Sequence, residues 1–265
     1  MGAGVGRVQS KWHAGFVQNV GDFKENAVAE NGQKVAVVTG GSSGIGAASA
    51  RALAADGWKV IVAARRLERL EALAQEIDGT AVALDVTDQE SVDAFSVTVG
   101  EVDLLVNNAG GAKGLDSIHD ANIDDWTWMY ETNVLGTLRV TKALMDGLIA
   151  RDGHVINIGS IAGENPYIGG AGYNAAKFGV AAFNRVLRLE THQQTLRVSE
   201  IDPGRVATEE FSLVRFGGDK ERAEAVYDDV LNLTAEDIAE SVRWVASLPK
   251  HMNIDRMRIT PRDQV

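Results

Sequence analysis

Lys34-Val35-Ala36-Val37-Val38-Thr39-Gly40-Gly41-Ser42-Ser43-Gly44-Ile45-Gly46-Ala47-Ala48-Ser49-Ala50-Arg51-Ala52-Leu53 reads as three consecutive pieces of structure. The β-branched run at its start has strand length, the glycine-rich centre is a tight turn, and the alanine-rich end is a strong helix former. A strand, a glycine turn and a helix N-terminus in that order bring backbone N–H groups to one point, where a pyrophosphate can be held. Gly40, Ser42, Ser43, Gly44, Ile45 and Gly46 are the residues of that loop. Its spacing is Gly-x-x-x-Gly-x-Gly, not the common Gly-x-Gly-x-x-Gly. The alternative is a plain turn that uses glycine's tolerance of positive φ and binds nothing.

Outward from this unit, short apolar runs alternate with helical patterns. Strands are predicted over 34–39, 59–64, 80–84, 103–106, 154–158, 197–201 and 256–259. Helices are predicted to begin near Gly44, Leu67, Asp88, Asp124, Ala171 and Ala235. That alternation predicts an α/β fold, a Rossmann-like doubly wound parallel sheet of about seven strands, in one domain over 34–265. Two of the helices, near 124–149 and 172–191, are expected to be long and apolar on more than one side. Thr234-Ala235-Glu236-Asp237 has the form of a capping box with aspartate in place of glutamate, for a helix running to about Ser247 before Pro249. Residues 1–33 read as a flexible extension in which Trp12, Phe16, Val17 and Val20 could share one face of a short helix. They contain no apolar run of signal-peptide or membrane-span length.

The second strand ends at Ala64 and is followed by Arg65 and Arg66. In a dinucleotide fold an acidic residue at this place holds a free ribose 2′-hydroxyl, whereas arginine suits a 2′-phosphate, so NADP is expected over NAD. Alternatively, both arginines merely begin the helix whose stripe is Leu67, Leu70, Leu73 and Ile77. Helix N-termini disfavour cations, which weighs against that. At the end of the fourth strand, Asn107 is read as a structural brace and Asn108 as a coenzyme contact, while Ala109 and Gly110 leave room for a ring. Tyr173 and Lys177, four residues apart, share a helix face, and a cation beside a phenol is expected to lower its pKa toward that of a useful general acid/base. Such a pair is often only a surface feature. Ser160 upstream and the glycine loop turn the reading toward a site.

Composition narrows the partners. The chain has 265 residues, 45% of them hydrophobic, a net charge of −11 and no cysteine. The negative charge opposes nucleic acid and anionic membrane surfaces, and the lack of cysteine excludes disulfides and thiolate metal sites. No metal is expected, and the compartment is read as cytoplasmic.

With Asp85 in Leu84-Asp85-Val86, Asn107-Asn108-Ala109-Gly110, Asn133, Ser160, Tyr173-x-x-x-Lys177 and Pro203-Gly204 all in order after the glycine run, the chain from about Lys34 onward resembles the short-chain dehydrogenase/reductase family. The resemblance implies a catalytic set of Asn133, Ser160, Tyr173 and Lys177. In that set Ser160 holds the substrate oxygen, Tyr173 protonates it, Lys177 binds the nicotinamide ribose and tunes the tyrosine, and Asn133 holds a water. It also implies that Asp85, with Val86 beside it, meets the adenine, that Pro203 and Gly204 lie against the nicotinamide, and that Val206 and Thr208 reach its carboxamide. Asp85 could instead cap the following helix, for which Asp88 is better placed.

Phe211-Ser212-Leu213-Val214-Arg215-Phe216, the stretch 233–240, the stretch 248–254 and Thr260-Pro261-Arg262-Asp263-Gln264 resemble a branch of NADP-dependent dehydrogenases of serine, 3-hydroxyisobutyrate and related 3-hydroxy acids. Arg205 departs from the apolar residue usual in that branch, and either clamps a substrate carboxylate or faces solvent. Arg215, in the segment expected to close over substrate, is a second candidate clamp. The resemblance also implies a homotetramer. Two alternatives stay open: a reductase of another carbonyl class, such as 3-oxoacyl thioesters, sugars or cyclic ketones, and a non-catalytic nucleotide-sensing module.

Overall fold

The structure is a computed structural model and describes residues 32–208 and 210–264. The helix face expected at Trp12, Phe16, Val17 and Val20, and all but the end of the extension, lie outside the described residues. In chain order the elements are β1 (Val35–Thr39), α1 (Gly44–Ala55), β2 (Lys59–Ala64), α2 (Leu67–Glu76), β3 (Thr80–Ala83), α3 (Gln89–Val99), β4 (Leu104–Asn107), α4 (Ile123–Tyr130), a π-helical turn Glu131–Leu135, α5 (Gly136–Ala150), β5 (His154–Ile158), a 3-10 turn Ile161–Gly163, α6 (Ala171–Glu190), β6 (Arg197–Pro203), α7 (Phe211–Arg215), α8 (Lys220–Ala225), α9 (Ala235–Ser247) and β7 (Arg256–Ile259).

The strands form one parallel sheet in the order β3-β2-β1-β4-β5-β6-β7. Successive side chains of a strand point to opposite faces, and β1 shows the consequence. Ala36 and Val38 enter a core with Leu53 of α1, Leu70 of α2 and Ile238 and Val242 of α9. Val35 and Val37 enter the opposite core with Phe95 of α3, Leu144 and Leu148 of α5 and Leu187 of α6. Both faces of the sheet are therefore covered, as a parallel sheet requires. Strand order reverses between β1 and β4, and in open α/β sheets the crevice beyond the carboxyl ends at such a reversal takes the ligand.

The predicted strands are all present, and β6 runs two residues further, to Pro203. The capping box forms as predicted, with Thr234 and Asp237 satisfying each other's backbone N–H groups, and Asp88 caps α3 by accepting from the Glu90 N–H. One expectation is corrected: the long helix near 124–149 is not continuous. It is α4 and α5 joined through the π-helical turn.

Candidate active site

A cleft of about 920 Å³ opens at the carboxyl ends of the strands. Every sequence-predicted site residue lines it except Gly46 and Asn133. Gly46 is behind the surface for a steric reason: a Cβ there would come 2.4 Å from the Gly40 carbonyl oxygen and 2.5 Å from Nδ2 of Asn108. Gly40 has φ +64°, and a Cβ there would come 2.8 Å from Asn108 Nδ2. The turn therefore offers bare backbone to the cleft, as close approach of a pyrophosphate requires. Its shape is braced from β4. Asn108 Nδ2 donates to the carbonyl oxygens of Thr39 (3.0 Å) and Gly40 (3.3 Å), and Thr39 Oγ1 accepts from the N–H groups of Asn108 (3.0 Å) and Ala109 (3.1 Å). Asn107, buried, donates to Thr141 Oγ1 at 2.8 Å and to Asn157 Oδ1 at 2.9 Å. Asn108 thus holds the loop, with its amide nitrogen already engaged, while Asn107 braces β4 against β5 and α5.

At the end of the cleft lined by Arg65 and Arg66, Asp85 Oδ1 accepts from the N–H (3.0 Å) and Oγ1 (2.7 Å) of Thr87. Burial opposes ionisation of this carboxyl, but the Thr87 hydrogen bonds overcome it and hold its pKa below the ordinary range. Arg66 donates to Ser42 Oγ at 2.8 Å and Ser43 Oγ at 3.2 Å. Its guanidinium also meets the carboxylate of Glu210, as does that of Arg69. Ser43 precedes α1 without capping it and donates instead to Glu210 Oε2 at 2.7 Å. Arg69 and Glu210 were absent from the sequence reading. Arg69 stands three residues after Arg66, the residue that precedes α2, and lies in the first turn of that helix, a signal present in the sequence. Glu210 is 144 residues from Arg66, and nothing local marks it.

At the other end, Ser160 leaves β5, accepts from the Ala162 N–H at 3.1 Å, and lies within hydrogen-bonding reach of the Tyr173 phenol. The Ser160 N–H is fixed by Asp202 Oδ1 at 2.9 Å. Tyr173 packs edge-on against Phe211, 5.6 Å between ring centres. Lys177 Nζ donates to the Ile158 carbonyl at 2.9 Å and stands 5.8 Å from the centre of the Tyr173 ring. The expectation that the lysine lowers the tyrosine pKa is corrected. Burial raises the phenol well above its usual value, against the Ser160 hydrogen bond, and burial lowers the lysine to about 8 despite Asp202 and Glu200. Both groups sit dry, and for both burial favours the neutral form.

The two candidate carboxylate clamps part company. Arg205 Nε and Nη2 donate to the Leu231 carbonyl at 3.0 and 2.9 Å, and Nη2 pairs with Asp263 at 3.2 Å. It ties the loop after β6 to Leu231 and to the turn at Asp263, so its guanidinium is already engaged where it lines the cleft. Arg215 donates to Tyr167 Oη at 2.8 Å and to the Gly114 carbonyl at 3.0 Å, and its guanidinium carbon is 5.9 Å from the centre of the Tyr173 ring. Asn133, in the π-helical turn, is 1% exposed; its amide donates to the carbonyls of Gly111 (2.9 Å) and Met129 (2.7 Å) and accepts from the Gly111 N–H (3.2 Å). It holds the wall of the cleft from behind.

The sequence profile of the short chain dehydrogenase family matches residues 34–215. An uncharacterized oxidoreductase of Mycobacterium tuberculosis is 53% identical over 233 residues, 88% of this chain and 92% of that protein. An NADP-dependent 3-hydroxy acid dehydrogenase of Salmonella typhi is 42% identical over 237 residues, 87% of this chain and 96% of that one. Among solved structures, the closed form of a serine dehydrogenase complexed with NADP+ superposes with a TM-score of 0.85 at 40% identity, covering 87% of this chain and 96% of its own.

Proposed function

The chain belongs to the short chain dehydrogenase family, and from that membership and the cleft we propose an oxidoreductase that moves a hydride between NADP(H) and small 3-hydroxy acids such as serine or 3-hydroxyisobutyrate. NADP+, when bound, supplies the hydride acceptor; everything else comes from the chain. The glycine turn and the N-terminus of α1 receive the pyrophosphate. Arg65, Arg66, Ser42 and Ser43 receive the 2′-phosphate, and Asp85 and Val86 flank the adenine. Asn108 stands at the adenine ribose, Ala109 and Gly110 leave room for a ring, and Pro203, Gly204, Val206 and Thr208 enclose the nicotinamide. Ser160 and Tyr173 hold the substrate oxygen, and Tyr173 takes its proton in oxidation or returns it in reduction, with Lys177 beside it. Residues 34–265 form the catalytic domain, 1–33 an extension, and the protein acts in the cytoplasm as a homotetramer. Support for assembly comes from the apolar side chains that α6 leaves outward, Phe178 at 45% and Leu189 at 53% exposure.

The observation that carries the substrate class is the Arg215 guanidinium beside Tyr173. A cation there fits a carboxylate separated from the reacting carbon by one intervening carbon, and an acid lost to esterification leaves that cation without its partner. The test is reduction of NADP+ with L-serine, D-serine, 3-hydroxyisobutyrate and 3-hydroxypropionate against their methyl esters. Acids are expected to exceed esters in kcat/KM, Arg215→Leu to erase the difference and Arg205→Leu to preserve it. If esters or neutral alcohols are the better substrates of the unaltered enzyme, the broader carbonyl reductase reading replaces this one.

A further inference from the structure

Four donors converge on one carboxylate at the adenosine end of the cleft. Glu210 accepts from Ser43 Oγ and meets both arginines, and Arg66 at the same time reaches Ser42 and Ser43. The Glu210 side chain is 20% exposed. Hydrogen bonding to Arg66 first, then Ser43 and the charges of Arg66 and Arg69, outweighs its burial and holds the carboxyl down to about 2, so it is an anion at any working pH. Guanidinium and hydroxyl donors of this kind serve a phosphate monoester and a carboxylate alike, but not both fully at once.

We propose that Glu210 is an internal competitor for the coenzyme 2′-phosphate, a specificity-determining residue that engages Arg66, Arg69 and Ser43 until a phosphate takes its place. The proposal rests on the reading that the Arg66 cluster binds the 2′-phosphate. Its energetic consequence is direct. A binding site whose competent state is only partly populated shows an affinity reduced by that fraction. NADP+ must displace the carboxylate, whereas NAD+ has no phosphate to put there and leaves it in place. The residue is also placed to connect the two ends of the cleft. Glu210 immediately precedes α7, whose first residue, Phe211, packs on Tyr173 and whose last, Arg215, stands over the same ring. Release of Glu210 therefore removes one of the contacts that hold this segment, alongside those of Phe211 with Tyr173 and of Arg215 with Tyr167 and Gly114.

The experiment is calorimetric titration of the full chain, as wild type, Glu210→Gln, Glu210→Ala and Arg66→Ala, with NADP+, NAD+ and adenosine 2′-monophosphate. Loss of the competitor is expected to tighten NADP+ and adenosine 2′-monophosphate about tenfold, the scale of a charge-assisted contact, with NAD+ changed less than about twofold. Arg66→Ala is expected to weaken both phosphate-bearing ligands. If both Glu210 variants bind NADP+ with equal or lower affinity while Arg66→Ala weakens it, the phosphate site stands and the competition is refuted. If Arg66→Ala leaves NADP+ unchanged, the phosphate is held elsewhere and the proposal falls with that reading. Agreement between the two Glu210 variants separates loss of the charge from any disturbance particular to one side chain.

Discussion

Tyr173 is 8% exposed, and its phenol faces a serine hydroxyl, an arginine and a phenylalanine edge. A phenol in such surroundings stays protonated, which suits it to give a proton to a carbonyl oxygen and makes it a poor base until a cation is fully charged beside it. Lys177, lowered to about 8 by burial, is that cation at neutral pH and loses its charge a little above it. Ser160, Tyr173 and Lys177 were readable from spacing, because helix periodicity places residues four apart together and family order supplies the third. Their protonation was not readable, since it depends on how much protein surrounds them, and sequence spacing carries no measure of burial. Tyr173→Phe keeps the packing against Phe211 and removes only the hydroxyl. Turnover is expected to fall by about 10² to 10⁴ while NADPH binding, followed by its fluorescence, is retained. A variant that keeps more than about a tenth of the turnover would remove Tyr173 from the proton-transfer role.

Between α4 and α5 a single π-helical turn interrupts what the apolar pattern presents as one helix. One residue of slippage leaves apolar side chains on both sides of the break, so periodicity alone cannot locate it. The polar residue inside the turn can, because a π-bulge is a common way to aim a side chain at a functional wall. Asn133 sits there and links Met129, within its own helix, to both backbone groups of Gly111 in the loop after β4. The short helices α7 and α8 escaped the sequence reading for a related reason: at 5 and 6 residues they are too brief to display a helical period. Asn133→Ala would leave the buried N–H and C=O of Gly111 without these partners. It is expected to cost about 1–3 kcal/mol of stability, read from the urea midpoint at unchanged slope. An unchanged midpoint would show that the amide is not what holds this loop to the helix.

Across the whole molecule, β1, β2, β4 and β5 were legible because each is a short, largely apolar run buried on both faces, whereas the edge strand β7 alternates exposed arginines with half-buried Met257 and Ile259. The parallel arrangement follows from the helix between each pair. What the pattern hid is the charge enclosed by β6. Glu200 and Asp202 are 3% and 0% exposed on that strand, facing Lys177 of α6 and Arg256 of β7, with Glu164 behind the arginine. Acidic residues inside a strand match no motif, and their burial is decided by elements far apart in the chain. Burial first, then the neighbouring Asp202, raises the Glu200 carboxyl to about 8 against the pull of Arg256 and Lys177. The folded chain therefore keeps a proton that the unfolded chain releases in the ordinary glutamate range. Stability contributed at this site falls as pH rises from that range toward 8. His154, whose pKa burial lowers, titrates with the opposite sign, and it is common to wild type and variant. Glu200→Gln removes the raised carboxyl while keeping its shape. The melting temperature of the variant relative to wild type is expected to climb between pH 5 and 8, at about 2–4 °C per kcal/mol for a chain of this size, and then to level off. Thermal scans in matched buffers would show this, whereas a constant offset across the range would mean that Glu200 titrates in the folded protein as it does in the unfolded chain.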